Sequence, residues 1–309
     1  MLRETGTEVR EEVRQKLPGN KPDEVAEEIW VEALTGNKEF NAAVVGEEGT
    51  YTVEEDSDYA FLVDPVDGTS GAVNGEFPWI TTAVTVLENV EVYETGLTGE
   101  PIGSFIRQIN GNGAEFFSWE GEASINGEVR FTDIDYEESL PRTVDEVYIG
   151  PRELKSFSDL KYNQKGLVSA YAANKARRPV REGFHNKMEN LSENVRLSLA
   201  GGSYLGASVG WGKTLVAGEP IPTVPTEAAG EVFARAMGAE SSNIYGDEND
   251  TLTVRKEKTG ISMTYTTIVA ANEQILREVL ESINVEGLEK TYTEEFKMYK
   301  RAIEIYAKI

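Results

Sequence analysis

The chain has 309 residues, of which 54 are acidic and 30 are basic, so its formal net charge at pH 7 is −24. A surface this acidic repels the phosphates of nucleic acids and anionic lipid headgroups, which makes both poor partners. The sequence contains no cysteine, which excludes disulfides, thiolate metal sites and cysteine nucleophiles. No apolar run approaches the ~20 residues that span a bilayer, and the first residues lack a signal-peptide pattern. We therefore expect a cytoplasmic protein that binds neither nucleic acid nor membrane.

The acidity itself has two interpretations. One is general solvation, including adaptation to a salty cytoplasm, and the other is a requirement for divalent cations. Composition does not separate them, and on either interpretation an anionic substrate needs a locally positive pocket. The length allows one large domain or two joined ones.

The first half of the chain predicts helices followed by strands. Residues 1–40 have the apolar spacing of helices, with a break at Pro18-Gly19. The pair Asn126-Gly127 predicts a hairpin turn, because both residues tolerate positive φ. The strands predicted in this half, from apolar runs and β-branched residues, are 42–45, 59–63, 79–87, 102–107, 114–119 and 129–132.

The second half predicts alternating strands and helices, and we place a boundary between an N-terminal α+β half, 1–145, and a C-terminal α/β half, 146–309. The last 25 residues predict one amphipathic helix, with a capping box at Thr291 and Glu294. The apolar face of this helix packs either on the chain's own core or on a second chain. Strands are predicted at 147–150 and 166–171, and helices at 186–194 and 227–238.

The strongest functional pattern is the hexapeptide Asp64-Pro65-Val66-Asp67-Gly68-Thr69. It follows an apolar run that we expect to stop abruptly at Asp64-Pro65, so that two carboxylates converge where the chain turns. Such carboxylates repel each other unless a proton or a cation separates them. Mg²⁺ prefers an oxygen cage of this kind, in which the Val66 carbonyl is a further candidate ligand. The alternative is an Asp-Pro-x-Asp-Gly turn without function.

Two further groups of charged residues are ambiguous by themselves. Glu47 and Glu48 follow a predicted strand upstream of the hexapeptide, and alone they are typical of a solvated turn. A basic stretch, 174–187, either attracts a second phosphate of the substrate or is a solvated loop, with Arg178 and Arg181 as candidate substrate contacts. The only histidine, His185, lies in this stretch, and no nucleophile–His–acid set can be assembled around it.

The hexapeptide resembles the Asp-Pro-Ile-Asp-Gly-Thr signature of the inositol monophosphatase and fructose-1,6-bisphosphatase superfamily, with Val66 in place of isoleucine. Gly46-Glu47-Glu48 resembles the Gly-Glu-Glu that precedes this signature in the family. Weaker resemblances follow in the family's order, and together they cover about residues 40 to 285. These are Gly111-Asn112-Gly113-Ala114 with Asn126-Gly127, Arg196 to Ser203, Ala228-Ala229-Gly230, and Ala271-Asn272.

The resemblance implies a layered α/β fold, an α+β sandwich with alternating layers of helices and sheets. It also implies Mg²⁺-dependent hydrolysis of a phosphate monoester on a small metabolite, either an inositol phosphate or a sugar bisphosphate such as fructose-1,6-bisphosphate. Two or three Mg²⁺ ions would bind per site. Glu47, Asp64 and the Val66 carbonyl would hold one ion, and Asp64 with Asp67 would hold a second. Family members are commonly oligomers, so a homodimer is expected.

The same resemblance assigns the phosphate and the attacking water. The phosphate would lie against the backbone at Gly68 and Thr69, extended by Ser70 if these N–H groups open a helix. Glu47 and the Thr69 hydroxyl would orient the water that attacks phosphorus. Ser203, in the Arg-x-x-Gly-Ser-like element, is a candidate substrate contact.

The pattern breaks at the family's third metal-binding acid, which belongs to a Trp-Asp pair just before x-Ala-Ala-Gly. Here Pro225-Thr226 stands in that place. Glu227 and Glu219 are candidates to substitute for the acid, while Glu227 is otherwise a first-turn acid favoured by the helix dipole. If neither substitutes, the protein is a catalytically impaired relative that binds metal or ligand. A nucleotide phosphatase of the same superfamily is a further alternative.

Overall fold

Two large β-sheets and a two-stranded ladder, with helices packed against them, form the described part of this computed structural model. Within that part, no helix is both long and apolar enough to cross a membrane. The structure describes residues 1–16, 22–36, 41–52, 57–67, 80–110, 113–126, 129–130, 137–138, 166–170, 195–198, 202–212, 214–257, 261–262 and 264–306.

The helices and strands are numbered in chain order. The helices are α1 (Leu2–Lys16), α2 (Pro22–Gly36), α3 (Ser203–Gly210), α4 (Ala229–Ala236), α5 (Glu273–Ser282), α6 (Val285–Thr291) and α7 (Thr293–Tyr306), and a 3₁₀ turn, Pro225–Ala228, precedes α4. The strands of the N-terminal sheet and the ladder are β1 (Ala42–Gly46), β2 (Tyr51–Thr52), β3 (Tyr59–Asp67), β4 (Thr81–Tyr93), β5 (Gly96–Gln108), β6 (Glu115–Trp119), β7 (Glu122–Asn126), β8 (Val129–Arg130) and β9 (Glu137–Glu138). The later strands are β10 (Gly166–Ala170), β11 (Val195–Ser198), β12 (Val216–Thr223), β13 (Glu240–Ser242), β14 (Leu252–Arg255) and β15 (Tyr265–Ala270).

The two sheets are mixed. The first has the order β2-β1-β3-β4-β5-β6-β7, with β14 pairing on β5, and the second has the order β11-β10-β12-β15-β13. β1 runs parallel to β3, whereas β3 and β4 are antiparallel. Because β14 comes from the second half of the chain but joins the first sheet, the two halves share a sheet. The division at residues 145 and 146 stays a prediction.

Alternation along β3 shows how the layers form. Phe61 and Val63 pack with the buried faces of α1 and α2, while Ala60 and Leu62 face the opposite side of the sheet, where they pack with Ala228. This is the two-residue period of a strand buried on both faces. α3 and α4 pack against both sheets, and α5 covers the far face of the second sheet. The order of layers is therefore helix, sheet, helix, sheet, helix, which confirms the predicted layered α/β fold.

Several predicted elements are confirmed, and one predicted strand end is wrong. The helices predicted within 1–40, the strands predicted at 42–45, 102–107 and 114–119, and the strand predicted at 166–171 correspond to α1, α2, β1, β5, β6 and β10. The strand predicted to stop at Asp64-Pro65 instead continues as β3 to Asp67. Pairing with β4 resumes after Pro65, because the missing N–H interrupts the ladder only locally. The elements predicted at 147–150 and 186–194, with Trp79 and Gly127, lie outside the described residues.

The C-terminal helix also differs from the sequence prediction. The helix is two helices, α6 and α7, which meet at Tyr292, where φ is −116° and ψ is 50°. The predicted capping box is wrong, because the Thr291 hydroxyl donates to the Gly287 carbonyl within α6. The apolar face of these helices packs on the chain's own Ile221. The β6–β7 hairpin turns at Glu120-Gly121, where both residues have positive φ.

Two glycines allow α3 and α4 to touch backbone to backbone. A Cβ at Gly206 would overlap the backbone of Gly230, and a Cβ at Gly230 would overlap the Ser203 carbonyl. This contact matters beyond packing, because Ser203 begins α3 and the turn before α4 carries Glu227. The close approach of the two helices therefore sets the distance between two candidate site residues.

We expect Gly230→Ala to destabilise the protein by about 1–3 kcal/mol, the usual cost of overpacking, despite the better helix propensity of alanine. Gly36→Ala is the matched control, since nothing lies within 4 Å of a Cβ at Gly36. Urea unfolding of both variants measures the two effects. Equal stability of the two variants would contradict the α3–α4 contact.

Candidate active site

A bulge in β3 brings the two acids of the hexapeptide together. Asp64 pairs with Ala83 and Asp67 pairs with Thr81, so three steps along β3 match two steps along β4. Residues three apart on a regular strand point to opposite faces, but the extra residue reverses the alternation. The carboxylates of Asp64 and Asp67 accordingly interact electrostatically. Both side chains are buried, at 2% and 8% exposed.

Glu47 joins this pair from the neighbouring strand. β1 runs parallel to β3 with Gly46 opposite Val63, and the Glu47 N–H donates to the Val63 carbonyl at 3.1 Å. The strand register therefore places Glu47 next to Asp64, and the two side chains are hydrogen-bonded. The buried Glu27 of α2 accepts hydrogen bonds from the turn that follows Glu47. Sequence reasoning missed Glu27.

A further acid, Glu227, lies one residue after the position of the family's third acid. Thr226 is fully buried, and its hydroxyl has no hydrogen-bond partner among the described residues. Glu227 accepts a hydrogen bond from the Thr223 hydroxyl at 2.8 Å and interacts electrostatically with Glu47 and Asp64. Glu227 therefore belongs to the carboxylate cluster, which we define as Glu47, Asp64, Asp67 and Glu227.

Glu219 is the other candidate for the missing acid. It lies on β12 opposite Thr267 and is 8% exposed. It lines a small cavity together with Glu227 and Tyr265, between the middle helices and the second sheet. The charge of Glu227, the first candidate, acts on Asp64.

The start of α3 contacts Asp67. The Ser203 N–H donates to the Asp67 carboxylate at 2.6 Å, and the Thr81 hydroxyl donates to it at 3.3 Å. The contact requires glycine at position 202, because a Cβ there would overlap the carboxylate and φ is +70°. Ser203 was predicted as a substrate contact, and the structure places its backbone at Asp67.

Burial and mutual repulsion make the carboxylate cluster hard to ionise. Burial, with the charges of Glu227 and Glu48, raises the pKa of Glu47 to about 8. Burial, followed by Glu47, Asp67 and Glu227, raises the pKa of Asp64 well above its usual range. Burial raises the pKa of Asp67 to about 7, although the hydrogen bond from Ser203 opposes this rise. At neutral pH the cluster therefore holds protons or binds cations.

Mg²⁺ fits this donor set. The side chains offer only oxygen, which a hard cation prefers, and Asp64 Oδ1 is buried without a hydrogen-bond partner among the described residues. In the same part of the chain, no three acids or histidines already form a closed cage for an ion.

Several predicted site residues lie outside the described part of the chain. Val66 is described, and it lies within the bulge with its side chain 4% exposed. The role of its carbonyl as a ligand stays a prediction. The predicted residues outside the described part are the phosphate-binding Gly68, Thr69 and Ser70, together with Arg178 and Arg181.

The family model of the inositol monophosphatase family matches residues 4–207, which is more than half of the 309 residues. The chain therefore belongs to the inositol monophosphatase family, as the resemblance predicted. No curated protein matches the sequence significantly.

Solved structures share the fold across nearly the whole chain. The extragenic suppressor protein SuhB from Bartonella henselae has 16% identity and a TM-score of 0.64, covering 92% of this chain and 96% of that chain. The IMPase of Thermotoga maritima has 19% identity and a TM-score of 0.62, with 93% and 96% covered. Staphylococcal IMPase-II with bound inositol monophosphate has 16% identity and a TM-score of 0.59, with 95% and 94% covered. At such identities the likeness shows the fold.

The raised pKa values predict how the stability of metal-free protein depends on pH. Between about pH 4 and pH 8 the folded cluster binds more protons than the unfolded chain, so the free energy of unfolding falls as pH rises. We expect Asp64→Asn in chelator to be more stable than wild type at pH 8 by on the order of 3 kcal/mol, the usual cost of an uncompensated buried charge. This difference should shrink toward pH 4.

Thermal unfolding across this pH range measures the effect, and Asp58→Asn, an exposed position on the same segment, is the control. Mg²⁺ at about 100 times its dissociation constant should stabilise the wild type by about 2.7 kcal/mol, and Asp64→Asn by less. A stability difference that does not vary with pH would contradict the assigned repulsion.

Proposed function

We propose that this chain hydrolyses a phosphate monoester on a small metabolite, with Mg²⁺ held by the carboxylate cluster. The observation that supports this most is the cluster itself, in which three segments distant in sequence bring buried and half-buried carboxylates together at the bulge of β3. Membership of the inositol monophosphatase family supports the same reaction class. When bound, Mg²⁺ supplies charge neutralisation and an orienting template for the attacking and leaving oxygens.

The proposed roles rest on the positions of the described side chains and on the hexapeptide motif. Glu47 is the proposed proton acceptor for the attacking water, since its carboxylate is half-buried and next to Asp64. We assign the Thr69 hydroxyl as its partner and the backbone of Gly68, Thr69 and Ser70 as the phosphate seat, from the motif. Asp67 is held by Ser203 and Thr81 in an orientation suited to a second ion. We propose that two or three Mg²⁺ ions bind per site.

The proposed substrate is an inositol phosphate or a sugar bisphosphate. Structures of staphylococcal IMPase-II contain inositol monophosphate or 2′AMP, which makes a nucleotide monophosphate a third substrate to test. Arg178, Arg181 and Ser203 are the proposed contacts to the remainder of the substrate. The homodimer and the cytoplasmic location stay predictions.

A second candidate function is ligand binding without turnover. The observation that favours it is Thr226, which stands in place of the family's acid and is fully buried. If Glu227 does not act as the missing ligand, the second ion binds weakly and hydrolysis is slow. The protein then binds a phosphorylated metabolite without releasing phosphate.

We expect metal-dependent phosphate release from at least one of four esters: inositol-1-phosphate, fructose-1,6-bisphosphate, 2′AMP and adenosine 3′,5′-bisphosphate. Asp67→Asn should lower the rate by about 100-fold or more, because it removes a carboxylate proposed to hold the second ion. Asp58→Asn should keep the wild-type rate. Phosphate assays with Mg²⁺ and with chelator measure both. Tight binding of an ester without release would favour the second candidate function.

The substitution of Glu227 for the missing acid is testable separately. We expect Glu227→Gln to weaken Mg²⁺ binding and activity by about 10- to 100-fold, whereas Thr226→Val should leave both unchanged because the Thr226 hydroxyl has no partner among the described residues. Glu219→Gln tests the other candidate. Calorimetric titration with Mg²⁺ separates the three, and a greater loss in Glu219→Gln than in Glu227→Gln would reverse the assignment.

A further inference from the structure

We propose that Glu27 is a positioning residue that fixes the direction of the Glu47 side chain toward Asp64. Glu27 lies on α2, outside the carboxylate cluster, and is 5% exposed. Its carboxylate accepts hydrogen bonds from two backbone N–H groups, that of Glu48 at 2.9 Å and that of Thr50 at 3.0 Å. The catalytic consequence of this contact rests on the proposed function, whereas the contact itself does not.

The two hydrogen bonds act on Glu47 through the backbone. The Glu48 N–H belongs to the peptide group that contains the Glu47 carbonyl, so Glu27 holds the chain on the C-terminal side of the Glu47 Cα. On the N-terminal side, the Glu47 N–H donates to the Val63 carbonyl. With both peptide groups held, the Cα–Cβ direction of Glu47 is set by α2 on one side and β3 on the other.

The turn is built around the Glu27 carboxylate. Two backbone hydrogen bonds also close the turn: the Gly46 N–H donates to the Thr50 carbonyl at 2.9 Å, and the Gly49 N–H donates to the Gly46 carbonyl at 3.3 Å. A Cβ at Gly46 would overlap the Glu27 carboxylate. Because Gly46 has no side chain, it leaves the space that the Glu27 carboxylate occupies. Bonds of this kind between N–H groups and a carboxylate are stronger than those to a neutral acceptor.

Burying the Glu27 carboxylate costs free energy that an apolar side chain at position 27 would not. Glu27 lies three residues before Trp30 and seven before Leu34, so it occupies the buried stripe of α2, where an apolar residue packs at lower cost. An apolar side chain there would leave the N–H groups of Glu48 and Thr50 without this acceptor. The position is therefore used to hold the turn.

The test measures Mg²⁺ binding by calorimetry on the full chain. We expect Glu27→Gln to raise the Mg²⁺ dissociation constant about 10-fold, as supporting residues of metal sites do, because the amide cannot accept from both N–H groups. Glu28→Gln removes the same charge from the exposed side of α2 and should leave the constant unchanged. Gly46→Ala, which displaces the Glu27 carboxylate without changing any charge, should weaken binding as Glu27→Gln does.

A double-mutant cycle with Glu47→Gln separates positioning from a general effect. If Glu27 acts through Glu47, Glu27→Gln causes no further loss of Mg²⁺ affinity once Glu47 is replaced. An equal loss of Mg²⁺ affinity in both backgrounds, or wild-type affinity in folded Glu27→Gln, would contradict the role of Glu27 and leave the proposed function standing. If Glu27→Gln does not fold, Gly46→Ala decides by the same cycle. A wild type that binds no Mg²⁺ would contradict the proposed function as well.

Discussion

Repulsion among the buried carboxylates at the bulge of β3 is the constraint to which the surrounding structure is adapted. A buried carboxylate is stabilised by a proton, by a cation or by donated hydrogen bonds. Asp67 is stabilised by donated hydrogen bonds, from the Ser203 N–H and the Thr81 hydroxyl. Asp64 Oδ1 has no hydrogen-bond partner among the described residues, and its carboxylate is surrounded by three others. A bound cation relieves that repulsion and leaves the acids ionised at neutral pH.

The acids stay together because each one is held by contacts away from the cluster. Glu47 is fixed by the parallel pairing of β1 with β3, and Glu227 by the turn before α4. The indole N–H of Trp30 donates to the Thr82 hydroxyl at 2.7 Å, which ties α2 to β4 beside the bulge. Packing of the two sheets and the middle helices thus stabilises an arrangement that its own charges oppose, as is common at functional sites.

The layered fold was predicted through the family resemblance that the hexapeptide carries, and individual helices and strands were predicted from local patterns of apolar residues. The sequence did not predict the bulge, since whether β3 ends at Pro65 depends on pairing with β4, which is distant in sequence. Glu27 carried a weak signal, an acid on the apolar stripe of α2. The break at Tyr292 had no local signal, because the apolar spacing continues through it, and residues on both sides of the break pack with Ile221.

Charge balance limits what the site can accept. Four ionised carboxylates give the cluster a charge of about −4, and a phosphate monoester adds a charge of about −1.5 to −2 at neutral pH. At a separation of about 4 Å and an effective dielectric constant of about 20, each like-charged pair costs about 4 kcal/mol. Two divalent cations balance the carboxylates alone, so a bound phosphate needs positive charge beyond them. That requirement grows with a second phosphate, and it is the physical reason to connect the basic stretch 174–187 with the choice of substrate.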